Sequence, residues 1–357
     1  MKHKVKIITL MVVLLLAGGC GGNDYIVDKN EKIVTSEITG QNLRKDIFCK
    51  PSEGTEVYKL YDKYEKQMKY KIAKLPECKD FKITSNKTSS LWQFLFVKPL
   101  AFTILKLGNL FKSWGMTKAY LGLALIVIGL LIRLIILPFN IKSQNQSKKL
   151  QEVMPQLQRI EKKYENRTDQ EAMMMKAAEM QALYKKYKVN PMLSCLLSLI
   201  QLPIFFAFLE AIYKIPTIYE GEIFGLNLGT TPTVGIFTNH EYGYLVLVVL
   251  IVITTYVSFK FTMKQSQTTA TTAGAPNQMK NMLIFMTIFI GFASFGLPTA
   301  IALYWVVTYA FIIIQTYVVN LINKYKEKKE VTKKKTSKSK IKEKLNLKEG
   351  MKYGKNK

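Results

Sequence analysis

Five blocks of apolar residues follow one another downstream of residue 117, and polar, lysine-rich stretches separate most of them. An α-helix needs about 20 apolar residues to cross the hydrocarbon core of a bilayer, and most of the blocks are close to that length. The blocks cover approximately residues 118–138, 192–212, 244–263, 282–295 and 299–321. This pattern predicts an all-α membrane protein with five transmembrane helices.

A shorter apolar run lies at the N terminus, behind the basic start MKHKVK. The run IITLMVVLLL is too short to span a bilayer comfortably, and the small residues of LLAGGC follow it. We interpret residues 1–19 as a lipoprotein signal peptide that is cut before Cys20, which then carries the lipid, palmitate included. Ala17 stands where such signals prefer leucine. An ordinary signal peptide or an N-terminal anchor is the alternative.

Residues 20–90 are polar and lysine-rich, and we expect them outside the cytoplasm. Within them EVYKLYDKYEKQMKYKIAKL is predicted to form an amphipathic helix, because its apolar residues recur at steps of three and four. These residues are Val57, Leu60, Tyr61, Tyr64 and Met68. Cys49 and Cys78 either pair or remain free thiols, since connectivity cannot be deduced from sequence.

Residues 91–116 are rich in Trp, Phe and Leu but carry interspersed lysines, and Pro99 interrupts them. This composition favours an amphipathic helix in the plane of the membrane interface. A sixth spanning helix is the alternative.

The charge pattern predicts the topology. Residues 140–189 carry eleven Lys and Arg, which places them in the cytoplasm, whereas residues 214–243 contain one, Lys214, and are expected outside. The short polar loop 264–280 is expected inside. The N terminus is therefore outside and the C terminus inside.

The tail, residues 324–357, holds fifteen lysines against four glutamates, which predicts a disordered segment, or one that is helical only when bound. Such a tail attracts anionic lipids, or RNA through its phosphates.

The cytoplasmic loop is predicted to form a helical hairpin. Pro155 suits the start of one arm, and the sequence Thr168-Asp169-Gln170-Glu171 reads as a capping box that opens the second. Four methionines crowd the second arm: Met173, Met174, Met175 and Met180. Methionine adapts its shape to varied apolar partners, so these residues either bind clients or pack the hairpin itself.

Arg133 is the one charged residue inside the first apolar block. A charge there costs about 2.5–3.5 kcal/mol at mid-membrane, and guanidinium cannot neutralise itself by losing its proton. Its head group either reaches back to the interface or lines a water-filled groove that receives a polar or acidic ligand. The second block carries a polar residue in its middle, Gln201.

The segment RLIILPFNIKSQNQSKKLQEVMPQLQRIEKKY, with MQALYKKYKVNPMLSCLLSLIQLPIFFAF and FGLPTAIALYWVVTYAFIIIQ further on, resembles the core of the YidC family of membrane protein insertases. The similarity covers roughly residues 91–320. It implies a bacterial plasma-membrane protein that inserts and helps fold nascent membrane proteins through a hydrophilic groove, alone or with the Sec translocon. It also implies the interfacial helix, and ribosome binding through the hairpin and the tail. We predict that six residues line the groove: Arg133, Gln201, Thr254, Ser258, Trp305 and Tyr309.

Several function classes are disfavoured. The chain has two histidines, and its four cysteines lack paired metal-ligand spacing, so no metal site or cofactor is expected. A transporter or channel is the main rival, but the sequence shows no internal repeat and no acidic residue central to a span. An intramembrane protease would need an Asp pair or a Ser with a base within the spans, and the five apolar blocks contain neither Asp nor His. We therefore do not expect an enzyme.

Overall fold

The structure is a computed structural model that describes residues 24–85, 90–167, 169–190, 192–266 and 275–353. The signal peptide, Cys20 and Thr168 lie outside the described residues. The chain divides into two compact units, Met1–Phe311 and Ile312–Lys357. The second unit contains the C-terminal part of one long helix, and the first contains the other elements.

Nine α-helices and one two-stranded ribbon are found in the described ranges. The helices are α1 Glu56–Lys63, α2 Lys98–Ser113, α3 Tyr120–Lys163, α4 Gln170–Lys186, α5 Met192–Tyr213, α6 Pro232–Phe237, α7 Gly243–Ser266, α8 Ala275–Ser294 and α9 Thr299–Tyr353. The ribbon pairs β1 Glu222–Ile223 with β2 Leu226–Asn227 in antiparallel register. Four helical stretches within these ranges are long and apolar enough to cross a bilayer: Gln93–Ser113, Tyr120–Lys163, Gly243–Phe261 and Thr299–Tyr325. The protein is thus a mostly helical membrane protein.

Helix α3 does not end at Pro138, contrary to the prediction for the first span. It runs for 44 residues and contains both Pro138 and Pro155 in its interior. A proline removes one backbone hydrogen bond, and in a long helix the turns on either side keep theirs. The Gln, Ser and Lys residues that follow Pro138 are compatible with a helix, so only the hydropathy changes at this point.

Two further boundaries differ from the predictions. Helix α8 begins at Ala275, seven residues before the apolar block at 282–295. Helix α9 continues into the lysine-rich tail to Tyr353, where the sequence predicted a segment that is disordered, or helical only when bound. Residues 299–349 contain neither glycine nor proline, and Lys and Glu are good helix formers.

The segment 24–85 is a small irregular domain with β character, which corrects the all-α prediction locally. Short extended pieces are joined by backbone hydrogen bonds from Ile26 to Leu43 and from Val34 to Ile26. The amphipathic helix predicted here is present only as α1, whose buried face is Val57 and Tyr61; short 3₁₀ turns follow it. A disulfide joins Cys49 to Cys78.

This domain packs directly on the helical core. Phe48, Cys78 and Phe81 belong to the same buried cluster as Phe208 and Ile212 of α5.

Pro99 lies in the first turn of α2, after one turn of π-helix at Gln93–Val97, and therefore begins the helix rather than interrupting it.

A buried ionic cluster fixes the domain to the end of α5. Lys214 is 1% exposed and its Nζ lies 2.6 Å from Asp46 Oδ2 and 3.3 Å from Glu210 Oε1. Glu210 also accepts hydrogen bonds from the Trp92 indole and from the Gln93 amide, both at 2.9 Å. One carboxylate thus links α5 to the chain that leads into α2.

The C-terminal part of α3 packs against α4. The contact is apolar and consists of Leu150, Val153, Met154, Leu157 and Val189 with Met180, Leu183 and Tyr184. Asp169 caps α4 by accepting a hydrogen bond from the Ala172 amide, which lowers the pKa of its carboxyl. Met173, Met174 and Met175 are exposed, whereas Met180 packs in the contact.

Candidate functional site

Arg133 lies inside the helical core and is directed at another helix. It is 7% exposed, and its Nη1 donates a hydrogen bond to Gln201 Oε1 of α5 at 3.0 Å. At about 1.5 Å of rise per residue, Arg133 lies about 20 Å along α3 from Tyr120. The guanidinium therefore contacts a polar partner deep within the helices rather than at a helix end.

The charge of Arg133 is not balanced by a carboxylate in the part of the chain that the structure describes. Its Nε is also buried without a hydrogen-bond partner among those residues. A buried charge with one neutral hydrogen bond is costly, and such groups are normally satisfied by water, an ion or a ligand. The arrangement suits the recognition of an acidic or strongly polar group.

Tyr304 completes this site from α9. Its ring packs on Gly129, where a Cβ would come within 3.3 Å of the ring. Gly129 and Arg133 are four residues apart, so they share one face of α3. The hydroxyls of Tyr304 and Tyr309 both lie close enough to Arg133 to interact with its charge. The Tyr304 hydroxyl lies near Gln201 but is buried without a good hydrogen bond to any described residue.

Tyr304 was not among the predicted groove residues, whereas its neighbour Trp305 was. Trp305 stacks on Phe205 of α5 with ring centroids 5.7 Å apart, and it also contacts the apolar cluster of α7 and α8. The sequence offers a Tyr-Trp pair but does not say which ring faces α3. The small residue at Gly129 was the available signal, because it makes room for a ring on the same face as Arg133.

The hydroxyl residues of α7 lie in different surroundings. Thr254 is half-buried and donates its hydroxyl to the Leu250 carbonyl of its own helix at 2.7 Å. Ser258 is buried, and so is Thr255, which was not selected from the sequence. The Thr255 hydroxyl has no hydrogen-bond partner within the described ranges. It is therefore a better candidate for a polar contact with a guest molecule than Thr254.

The structure thus brings Arg133, Gln201 and Tyr304 together, whereas the ring of Tyr309 packs edge-on against Phe259 of α7 with centroids 6.0 Å apart. No group of three or more metal-ligating side chains is found in the residues that the structure describes. The arrangement offers hydrogen-bond donors and a positive charge to a guest.

Residues 112–347 match the model of a protein family described as "60Kd inner membrane protein". The chain belongs to this family. Residues 24–85, which form the small domain, lie outside the match.

Three curated relatives of the chain are all named membrane protein insertases. "Membrane protein insertase YidC" of Oceanobacillus iheyensis is 33% identical over 238 residues, 67% of this chain and 86% of that protein. "Membrane protein insertase YidC 2" of Bacillus anthracis is 34% identical over 233 residues, 65% and 82% of the two chains. "Membrane protein insertase MisCA" of Bacillus subtilis is 32% identical over 228 residues, 64% and 78%.

A solved structure is also similar, "Active YidC insertase crystal structure with the first transmembrane domain resolved". It is 24% identical with a TM-score of 0.43, and the match covers 66% of this chain and 48% of that chain.

Proposed function

We propose that this protein is an insertase that moves nascent membrane proteins into the bacterial plasma membrane and helps them fold. The observation that carries the proposal is the buried Arg133, which bonds to Gln201 and has no carboxylate partner among the described residues. The description of the curated relatives as membrane protein insertases supports the same function. The family match covers every residue assigned to the site.

The chemistry of insertion follows from the cost of moving polar groups through hydrocarbon. An extramembrane segment of a client must cross the bilayer, and each unsatisfied polar group on it costs several kcal/mol there. A hydrophilic groove around Arg133 shortens that path and offers hydrogen bonds to the segment. Acidic side chains gain most, because opposite charges attract more strongly at low dielectric. The apolar segment of the client then enters the lipid, and this favourable transfer releases the client from the groove.

Within this proposal the six predicted residues have unequal support. Arg133 bonds to Gln201, and Tyr309, with Tyr304, lies within electrostatic range of the charge. Trp305 would form an apolar wall through Phe205. The residues of α7 that would face a client are Thr255 and Ser258, with Thr254 at the margin.

We also propose a topology for the five spans, with the N terminus outside and the C terminus inside. The spans are the first part of α3, then α5, α7, α8 and the first part of α9. Helix α2 then lies in the interface, where its interspersed lysines, and the bonds that tie the preceding Trp92 and Gln93 to Glu210, suit it better than a spanning position. In this topology the C-terminal part of α3 and the helix α4, which pack against each other, form a helical hairpin in the cytoplasm.

The same topology suggests where partners bind. The three exposed methionines of α4 provide an apolar surface that adapts to clients. The lysine-rich end of α9 would hold ribosomal RNA or anionic lipids through sequence-independent phosphate contacts. Lipid attachment at Cys20 would tether residues 24–85 to the outer surface. Work beside the Sec translocon is compatible with a groove that is open to lipid.

The second candidate is a small transporter or channel, which would also use a polar cavity in the membrane. An insertase acts on client proteins, whereas a transporter or channel moves a small solute. Complementation separates the two: a strain depleted of its own insertase would express this chain while the insertion of a small single-span client is followed by protease protection. We expect the wild-type chain to restore insertion. A well-expressed, membrane-located chain that restores none would contradict the proposal and favour the transporter.

A further inference from the structure

The turn between β1 and β2 has a left-handed backbone at both of its central residues. Ile223 pairs with Leu226, so Phe224 and Gly225 form a two-residue loop, with φ angles of 53° and 77°. A hairpin turn with positive φ at both positions strongly favours Asn followed by Gly. Phenylalanine at the first position is unusual, because a bulky side chain is strained there.

Packing against the residues that the structure describes does not explain Phe224. Its residue surface is 82% exposed, so the ring gains little from contacts with the protein. Strained residues persist where the side chain serves a purpose that the favoured residue cannot. What phenylalanine supplies and asparagine does not is an apolar ring, and this ring projects from the tip of the ribbon.

The ribbon lies at the level where two apolar helices begin. Ile223 fits against Gly122, near the start of α3, where a Cβ would come within 2.7 Å of its side chain. Leu226 fits in the same way against Gly243, the first residue of α7, at 2.8 Å. Both helices are long and apolar enough to span a bilayer. The tip of the ribbon is therefore at one boundary of the hydrocarbon region.

Other exposed aromatic side chains occur at the same boundary. Trp114 follows α2 and stands six residues before α3, and Tyr242 directly precedes α7; both are exposed. An exposed ion pair joins Lys118 to Glu222 at 3.6 Å beside the turn. Aromatic rings next to charged groups are typical of the interface between lipid and water, where an apolar ring and a polar neighbour are both accommodated.

We propose that Phe224 inserts into the lipid leaflet at the end of the molecule where α3 and α7 begin. With Trp114 and Tyr242 it forms an aromatic rim that sets the depth of the helices in the bilayer. Lipid is the occupant, because Leu245, Val246 and Val249 continue the exposed apolar surface along α7. The rim would hold Arg133 at a fixed depth, but the inference does not depend on what the protein transports.

Spin labelling of the full chain in proteoliposomes of phosphatidylethanolamine and phosphatidylglycerol tests the proposal. Cys20 and Cys195 are replaced, the disulfide is kept, and a nitroxide is attached through Phe224→Cys. Two matched labels calibrate the result: Lys59→Cys, which is exposed on α1, and Ile135→Cys, which is exposed on α3. Collision rates with oxygen, which partitions into lipid, and with a nickel chelate, which stays in water, are measured at each site.

We expect the ratio of oxygen to nickel collisions at position 224 to exceed that at 59 severalfold and to approach that at 135. A ratio equal to that at 59 would overturn the proposal, since the turn would then be in water. Low collision rates with both reagents would also overturn it, because the ring would then be covered by protein.

A second variant separates anchoring from folding. Phe224→Asn keeps the left-handed turn and removes the ring, so the ribbon should still form. A nitroxide at Tyr242→Cys should then become severalfold more accessible to the nickel chelate than in the chain that retains Phe224. An unchanged accessibility would contradict the role of Phe224 in setting the depth.

Discussion

A chain that carries Arg133→Leu should fold normally but fail to insert client proteins. The charge costs about 2.5–3.5 kcal/mol in the membrane, whereas a hydrogen bond to a charged group returns about 1.5–3 kcal/mol. These terms nearly cancel, so the free energy of unfolding should change by no more than about 1 kcal/mol. Insertion should be lost, because leucine offers the client neither a charge nor a hydrogen bond.

The experiment compares insertion and thermal stability in the same set of variants. Arg133→Lys keeps a positive charge but has no planar fork, so it should restore insertion only in part. Arg159→Leu is the matched control, since it removes the same charge from an exposed position of the same helix. Equal insertion by all three variants would eliminate the role assigned to Arg133. A strongly destabilised Arg133→Leu chain would show instead that the residue is structural.

Replacing Lys214 with alanine should strongly destabilise the attachment of the small domain to the core. Lys214 is fully buried between Asp46 and Glu210, so its removal leaves two carboxylates in a low-dielectric site. Breaking a buried ion pair from one side typically costs about 3–5 kcal/mol. Residues 24–85 should become sensitive to protease, and the midpoint of thermal unfolding in detergent should fall.

Lys118→Ala provides the control for this effect. Lys118 pairs with Glu222 at 3.6 Å on the surface, and exposed pairs contribute at most about 1 kcal/mol. Asp46→Asn combined with Lys214→Met should recover part of the lost stability, because the buried charge of Asp46, which Lys69 alone would pair with at 3.9 Å, is then removed as well. If Lys214→Ala is no more harmful than Lys118→Ala, the buried cluster does not fix the domain.

Hydropathy predicted a helix at each apolar block but not where each helix ends. Helices α5 and α7 begin and end within a few residues of the apolar blocks that predicted them. Helices α3 and α9 extend far beyond theirs, and α8 begins seven residues before its block. A helix that leaves the membrane keeps its backbone hydrogen bonds in water, so a change in polarity marks the boundary of the lipid rather than the end of the helix.

The charged residue of the site was evident from the sequence, whereas its partners depended on packing. Arg133 stands out because a charge interrupts an apolar block. That Tyr304 packs on the face of α3 that carries Arg133 follows from its close contact with Gly129, which no periodicity reveals. The cluster around Lys214 was equally inaccessible, since Asp46 lies 168 residues away along the chain.

Attraction between Arg133 and acidic residues of a client is tested most directly by changing both. A single-span client with two aspartates in its translocated tail is compared with the same client carrying two asparagines. We expect the wild-type chain to insert the acidic client more efficiently by roughly tenfold, equivalent to about 1.4 kcal/mol, and the Arg133→Leu chain to lose this preference. The same preference in both chains would show that the charge of Arg133 does not recognise the client.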